Sequence, residues 1–111
     1  MAKPFARVDV SESLFMIATL PVPKVKNQET GEVATDRATG AAMYIVNLLE
    51  TSGGQAQVLK ITVAEPGLPE GLAPGMTVRP VKLIASPWAN VFGDQVNSGL
   101  SYRAEGLELV K

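Results

Sequence analysis

The sequence predicts a small all-β domain made of short, bent strands. Three observations predict it. Eight prolines and ten glycines divide the 111 residues into short apolar segments, too often interrupted for long helices. Several of these segments alternate apolar and polar residues, the period of a half-buried strand. Turn signals recur between them, the spacing of an all-β sandwich or barrel. Apolar residues make up 46% of the chain. That is enough to build a core, so the chain reads as a single domain over residues 1–111, with its core at about 12–110.

The first predicted strand is "SLFMIATLPVPKVK", residues 13–26. Pro21 and Pro23 donate no backbone hydrogen bond, so its second half is expected at an edge or in a bulge. A long polar connection follows, "NQETGEVATDRATG", with turn signals at Thr30-Gly31 and Thr39-Gly40. The second strand is "AAMYIVNLLE", residues 41–50, where Tyr44, Ile45 and Val46 favour strand over helix. "TSGGQ" reads as a tight hairpin turn into the third strand, residues 55–63. There Leu59, Ile61 and Val63 alternate with Lys60 and Thr62. "AEPGLPEGLAPGM" is then a loop with room for one helical turn.

The fourth strand covers residues 77–88, and its alternation changes phase around Pro80, which predicts a bulge there. "ANVFGDQVNSG" reads as a loop leading to the fifth strand, residues 100–110. In that strand Leu100, Tyr102 and Ala104 share one face, Ser101, Arg103 and Glu105 take the other, and Gly106 marks a bend. Five bent strands, with long loops between strands 1–2 and 4–5, predict a five-stranded OB-fold, a Greek-key barrel. An SH3-like small barrel is the structural rival.

Composition excludes much chemistry. The chain has no cysteine and no histidine. Disulfides, thiolate nucleophiles and cysteine-ligated metals are therefore ruled out, as are triads that use an imidazole base. Asp36, Glu65, Glu70, Asp94 and Glu105 are scattered, with no D-x-D pairing. "SGGQ" lacks the Gly-Lys-Ser/Thr ending of a phosphate loop. No enzyme activity and no cofactor are expected. The formal net charge of −1 gives no global pull toward nucleic acid, so any attraction must come from a local patch. No apolar run approaches the length of a membrane span, and "SLFMIATLPVP" lacks the flanks of a signal peptide. The expected location is cytoplasmic, with no membrane partner.

Four segments, "TDRATGAAMYIVNLL", "QAQVLKITVAEP", "GLAPGMTVRPVKLIASPW" and "SGLSYRAEGLEL", follow one another in that order. Together they resemble the small replication, integration and excision activator proteins of actinobacterial mobile elements. More loosely they resemble OB-fold single-stranded DNA-binding proteins. The resemblance covers roughly residues 20–109 and is most specific in "TDR-x-TG" and "SPW". It implies an accessory role in replication or recombination of a plasmid or phage. The chain departs from the single-strand binders in lacking a long acidic tail and in its low aromatic content of 5%.

A single strand is held by a basic groove and by aromatic faces that stack on bases. The candidate basic residues are Lys24, Lys26, Arg37, Lys60, Arg79, Lys82 and Arg103. The candidate aromatics are Tyr44, Trp88 and Phe92. In an OB-fold the ligand face is formed by strands 2 and 3 with the loops joining strands 1–2 and 4–5. Arg37 falls in the first of these loops, Trp88 and Phe92 in or beside the second, and Tyr44 on strand 2. Each residue has a plainer reading. Basic residues along half-exposed strands are often only a solvated face, tyrosines are often core, and a Trp at a strand end often plugs a barrel mouth. "TDRATG" is first a turn, in which Asp36 and Thr39 bond nearby backbone and Gly40 supplies the geometry. The expected ligand is single-stranded DNA, with RNA as a competing strand. The alternative function is a protein-binding adaptor or regulator that uses an exposed strand to engage replication or recombination proteins, or a second copy of the chain in a homodimer.

Overall fold

The apolar alternation seen in the sequence becomes an all-β structure. A computed structural model describes residues 5–27, 29–36 and 39–110, with the backbone alone described at Phe92. In chain order the strands are β1 (Ala6–Arg7), β2 (Leu14–Pro23), β3 (Val25–Asn27), β4 (Glu32–Val33), β5 (Met43–Ser52), β6 (Gln55–Ala64), β7 (Thr77–Val81), β8 (Ile84–Phe92), β9 (Gln95–Ala104) and β10 (Gly106–Leu109). Eight of them form one sheet in the order β1-β8-β9-β6-β5-β2-β7-β10, and β3 and β4 form a separate ribbon. All pairs are antiparallel except β6 with β9. The sheet is not closed: it ends at β1 and at β10. No helix among the described residues is long and apolar enough to cross a membrane.

The core follows from period-two alternation. Phe15 and Ile17 of β2, Val46 and Leu48 of β5, and Leu59, Ile61 and Val63 of β6 all point inward. Val78, Leu83, Ala104 and Leu107 join them from the second half of the chain. Among the described residues no polar or charged side chain is buried, so the core carries no desolvation cost from unpaired polar groups.

Several expectations from the sequence hold. The second and third predicted strands are β5 and β6, joined by a two-residue turn in which Gly53 and Gly54 have φ of 56° and 83°. Two successive positive φ values are the type I′ geometry that matches strand twist, and glycine adopts them without a Cβ clash. The proline half of β2 is irregular as expected, with register shifts between Ile17 and Thr19 and between Thr19 and Val22. The Pro- and Gly-rich segment after β6 contains a single 3₁₀ turn, Glu65–Gly67.

Others need correction. The long connection between the first two predicted strands is partly structured: it holds β4, which pairs back on β3 at the end of the first predicted strand, and Thr35, which bridges to Ala42. The long loop expected between the fourth and fifth strands is no loop. Residues 89–99 extend a regular β8–β9 hairpin that turns at Gly93 (φ 60°) and Asp94. Its Asn, Ser and Gly content suggested a loop, but Asn90 pairs with Asn97 and Val91 with Val96, and cross-strand pairing overrides composition. The bend in the fourth predicted strand lies at Lys82 (φ 53°), not at Pro80, which stays in register with Leu107. The fifth predicted strand does bend beside Gly106, between β9 and β10.

That last bend needs two glycines in contact. A Cβ on Gly67 would overlap the Glu105 carbonyl oxygen and come within 2.7 Å of the Gly106 Cα. A Cβ on Gly106 would in turn sit 2.8 Å from the Gly67 carbonyl oxygen. The 3₁₀ turn therefore packs on the bend backbone to backbone. Gly67→Ala is expected to lower unfolding free energy by about 1–3 kcal/mol, read by urea denaturation at unchanged m. A variant as stable as the wild type would show that the two backbones can part without cost.

Candidate nucleic-acid interface

The alternation that fills the core also fixes what faces outward. With Val46 and Leu48 inward on β5, Ile45, Asn47 and Leu49 face out. With Leu59, Ile61 and Val63 inward on β6, Val58, Lys60 and Thr62 face out. Register then aligns these outward positions across the sheet. One row runs Val22, Ile45, Thr62, Arg103, Ile84, Arg7, crossing six strands from β2 to β1. A second row runs Thr19, Asn47, Lys60, in which the Asn47 side-chain amide donates to the Thr19 hydroxyl at 3.0 Å. A third row, Met16, Leu49, Val58, is apolar.

The first two rows contain no carboxylate. Lys60, Arg103 and Arg7 are exposed, and none of their side chains has an ion-pair partner among the described residues. Neighbouring strands lie about 4.8 Å apart, so Arg103 and Arg7, two strands apart, are separated by roughly 10 Å at the backbone. A chain with a formal net charge of −1 thus gathers three cations on one face.

The hairpin prolongs this face. Trp88 pairs with Gly99, and Ser86 with Ser101, on the side of β8–β9 that carries Ile84 and Arg103. A Cβ on Gly99 would lie 3.0 to 3.2 Å from three indole atoms of Trp88. The indole therefore covers the glycine, and it is 44% exposed. Glycine here makes room for an aromatic ring laid across the partner strand, a packing known to stabilise glycine in strands. The ring does not plug a barrel mouth; it offers a face to solvent.

The other candidates from the sequence are dispersed. Tyr44 shares the inner side of β5 with Val46 and Leu48 and is half-buried, so it is not part of the outer face. Lys24 and Lys26 are exposed where β2 passes into the β3–β4 ribbon. The Lys24 N–H donates to the Met43 carbonyl at 2.9 Å, which holds this basic corner beside the start of β5. Arg79 faces Glu108 across β7–β10, on strands that pair with neither β5 nor β6. Lys82 is engaged by Glu105 at 3.6 Å, an exposed pair. Phe92 closes β8 opposite Gln95, with its side chain outside the description. Arg37 lies outside the described residues. The sequence reading missed Arg7, which enters the face through the two-residue strand β1. A strand that short leaves no periodic signal.

This arrangement can hold an extended polyanion bearing flat, apolar groups: cations for phosphates, an indole for stacking, and hydroxyls and an amide for polar edges. Among the described residues no group of three or more Asp or Glu side chains gathers in a way that could hold a metal ion.

No protein-family model and no curated protein matches the sequence. Among solved structures, the fold is similar to that of the mitochondrial single-stranded DNA-binding protein Rim1 from S. cerevisiae. The TM-score is 0.61, with 16% sequence identity over 100% of this chain and 98% of that one. At that identity the likeness establishes the fold, an all-β arrangement of the OB type.

Proposed function

We propose that this chain is a non-enzymatic, cytoplasmic single-stranded DNA-binding protein, an accessory to replication or recombination of a mobile element. Its strand would cross the outer face of β5, β6, β9 and β8. The observation that carries the reading is the registered row from Val22 to Arg7, with Lys60 beside it and the exposed Trp88 beyond. The fold likeness to a single-stranded DNA-binding protein supports it. The mobile-element setting rests on the resemblance carried by "TDRATG" and "SPW". In this reading β7 with β8, and β9 with β10, act as two long bent strands of a five-stranded OB arrangement, with Lys82 and Glu105 at the bends.

A second reading has one observation in its favour. The row Met16, Leu49, Val58 lies on the same outer side next to the cationic rows, with Val58 61% exposed and Leu14 nearby also exposed. Such a patch suits a protein surface, from a replication or recombination protein or a second copy of the chain.

Fluorescence anisotropy with labelled oligo-dT separates the two. At low salt the protein should bind, and affinity should fall with added salt by about 0.7 log units per log unit of salt for each phosphate contacted. Lys60→Ala and Arg103→Ala should each weaken binding about tenfold. Trp88→Ala should cost about 1–3 kcal/mol. Arg37→Ala and Phe92→Ala should also weaken binding, and Arg79→Ala should leave it unchanged. No binding by micromolar protein at low salt would leave the protein-partner reading in its place.

Trp88 is the chain's single tryptophan, so its emission reports on the hairpin directly. Stacking on a bound strand should quench it. Gly99→Val, which places a side chain where the indole lies, should shift the emission of the unliganded protein and weaken binding. Unchanged emission in that variant would show that the ring does not rest on the glycine.

A further inference from the structure

The first row ends in a recess. The N-terminal segment and the bends at Lys82 and Glu105 border a half-open recess of about 890 Å³, with Phe5, Arg7, Ile84 and Arg103 among its walls. Its size is within the range of sites that bury small ligands. We propose that this recess is a subsite for one nucleotide unit of the bound strand, with its phosphate between Arg7 and Arg103 and its base against Phe5. The proposal rests on the single-strand reading above and adds the N-terminal segment to the binding surface.

The wall is built, not incidental. The Val8 N–H donates to the Leu83 carbonyl at 2.9 Å, and Ala6 and Arg7 pair with Ala85 and Ile84. The Asp9 carboxylate accepts the Ser11 N–H at 2.9 Å, and the Ser13 N–H donates to the Val10 carbonyl at 3.1 Å. Val8 and Val10 pack against the core. Phe5, by contrast, is 57% exposed and has no place in the core cluster. A large ring held beside the recess by an anchored segment is placed to meet a flat ligand.

Charge favours phosphate. Three cations, Arg7, Lys82 and Arg103, line the recess against two carboxylates, Asp36 and Glu105. Glu105 is matched by Lys82, which leaves the two arginines on either side of Ile84 and the one carboxylate of Asp36, a net positive lining. A guanidinium binds a phosphate through two parallel hydrogen bonds, so two of them flanking one apolar residue can converge on one phosphate and leave its base to lie against Phe5.

The test compares wild type, Arg7→Ala, Phe5→Ala and Lys60→Ala in oligo-dT titrations over a range of salt, with thermal midpoint and Trp88 emission confirming the fold. Arg7→Ala should weaken binding about tenfold and lower the salt slope by about 0.7. Phe5→Ala should weaken it at an unchanged slope, because a stacking contact releases no counterion. If Lys60→Ala weakens binding while Arg7→Ala matches wild type in affinity and slope, the recess proposal falls and the single-strand reading stands. If the wild type binds no oligo-dT at low salt, both fall. In case Arg7→Ala does not fold, wild-type protein titrated with dTMP gives an independent answer by amide NMR. dTMP should shift the signals of Arg7, Ile84 and Arg103, with thymidine alone much weaker. No shift at those residues with saturating dTMP overturns the subsite.

Discussion

Ten consecutive residue pairs lock β5 to β6 without a bulge, from Met43 opposite Ala64 to Ser52 opposite Gln55. Because side chains alternate with period two, a slip of one residue would turn every buried position on one strand to solvent. Val46 opposite Ile61 and Leu48 opposite Leu59, all deeply buried, make such a slip prohibitive. The same register turns Asn47 and Lys60 outward as a pair. Core and outer face are thus two sides of one constraint, and the cations are held in place by the apolar residues behind them. The two-glycine turn starts this ladder, and the parallel pairing of β6 with β9 carries its register to Arg103.

The second half of the chain has to serve both sides of the molecule. It does so by bending twice at nearly the same place. Lys82 breaks β7 from β8, Glu105 separates β9 from β10, and the Glu105 N–H donates to the Val81 carbonyl at 2.9 Å. Below the bends, β7 and β10 pair with each other, and β7 also pairs with β2 over the core. Above them, β8 and β9 continue the outer face beside β6. The exposed Lys82–Glu105 pair adds little energy. The backbone contact between Gly67 and Gly106 is the tighter constraint on the bend.

How far this was legible in the sequence depended on whether a signal was local. The alternation of Leu59, Ile61 and Val63 with Lys60 and Thr62 was enough to place Lys60 outward, and Gly53-Gly54 was enough to place the turn. Pro21 and Pro23 announced an irregular strand because they remove hydrogen-bond donors wherever they sit. Residues 89–99 misled because turn-rich composition describes each residue singly, whereas the hairpin is held by pairs that sequence does not display. Pro80 drew attention away from Lys82, whose positive φ carries no compositional mark in a lysine. The chemistry of Tyr44 pointed to stacking, but its phase on β5 sets it on the side of Val46. Arg7 was invisible because its place on the face comes from two pairs with a strand nearly eighty residues away.

The β8–β9 hairpin runs past the point where it stops being part of a core. Ala85 at its root is buried, whereas Val91 and Val96 near its tip are 68% and 65% exposed. A two-stranded ribbon wet on both sides is marginal on its own. The hairpin leaves the core as an arm rooted at Ala85 and Tyr102, with fewer buried side chains toward Gly93. Trp88 sits partway along it, with its indole over Gly99. The outer face is thus backed by core side chains under Lys60 and by solvent along the hairpin, so bending it would break much packing in the first part and little in the second.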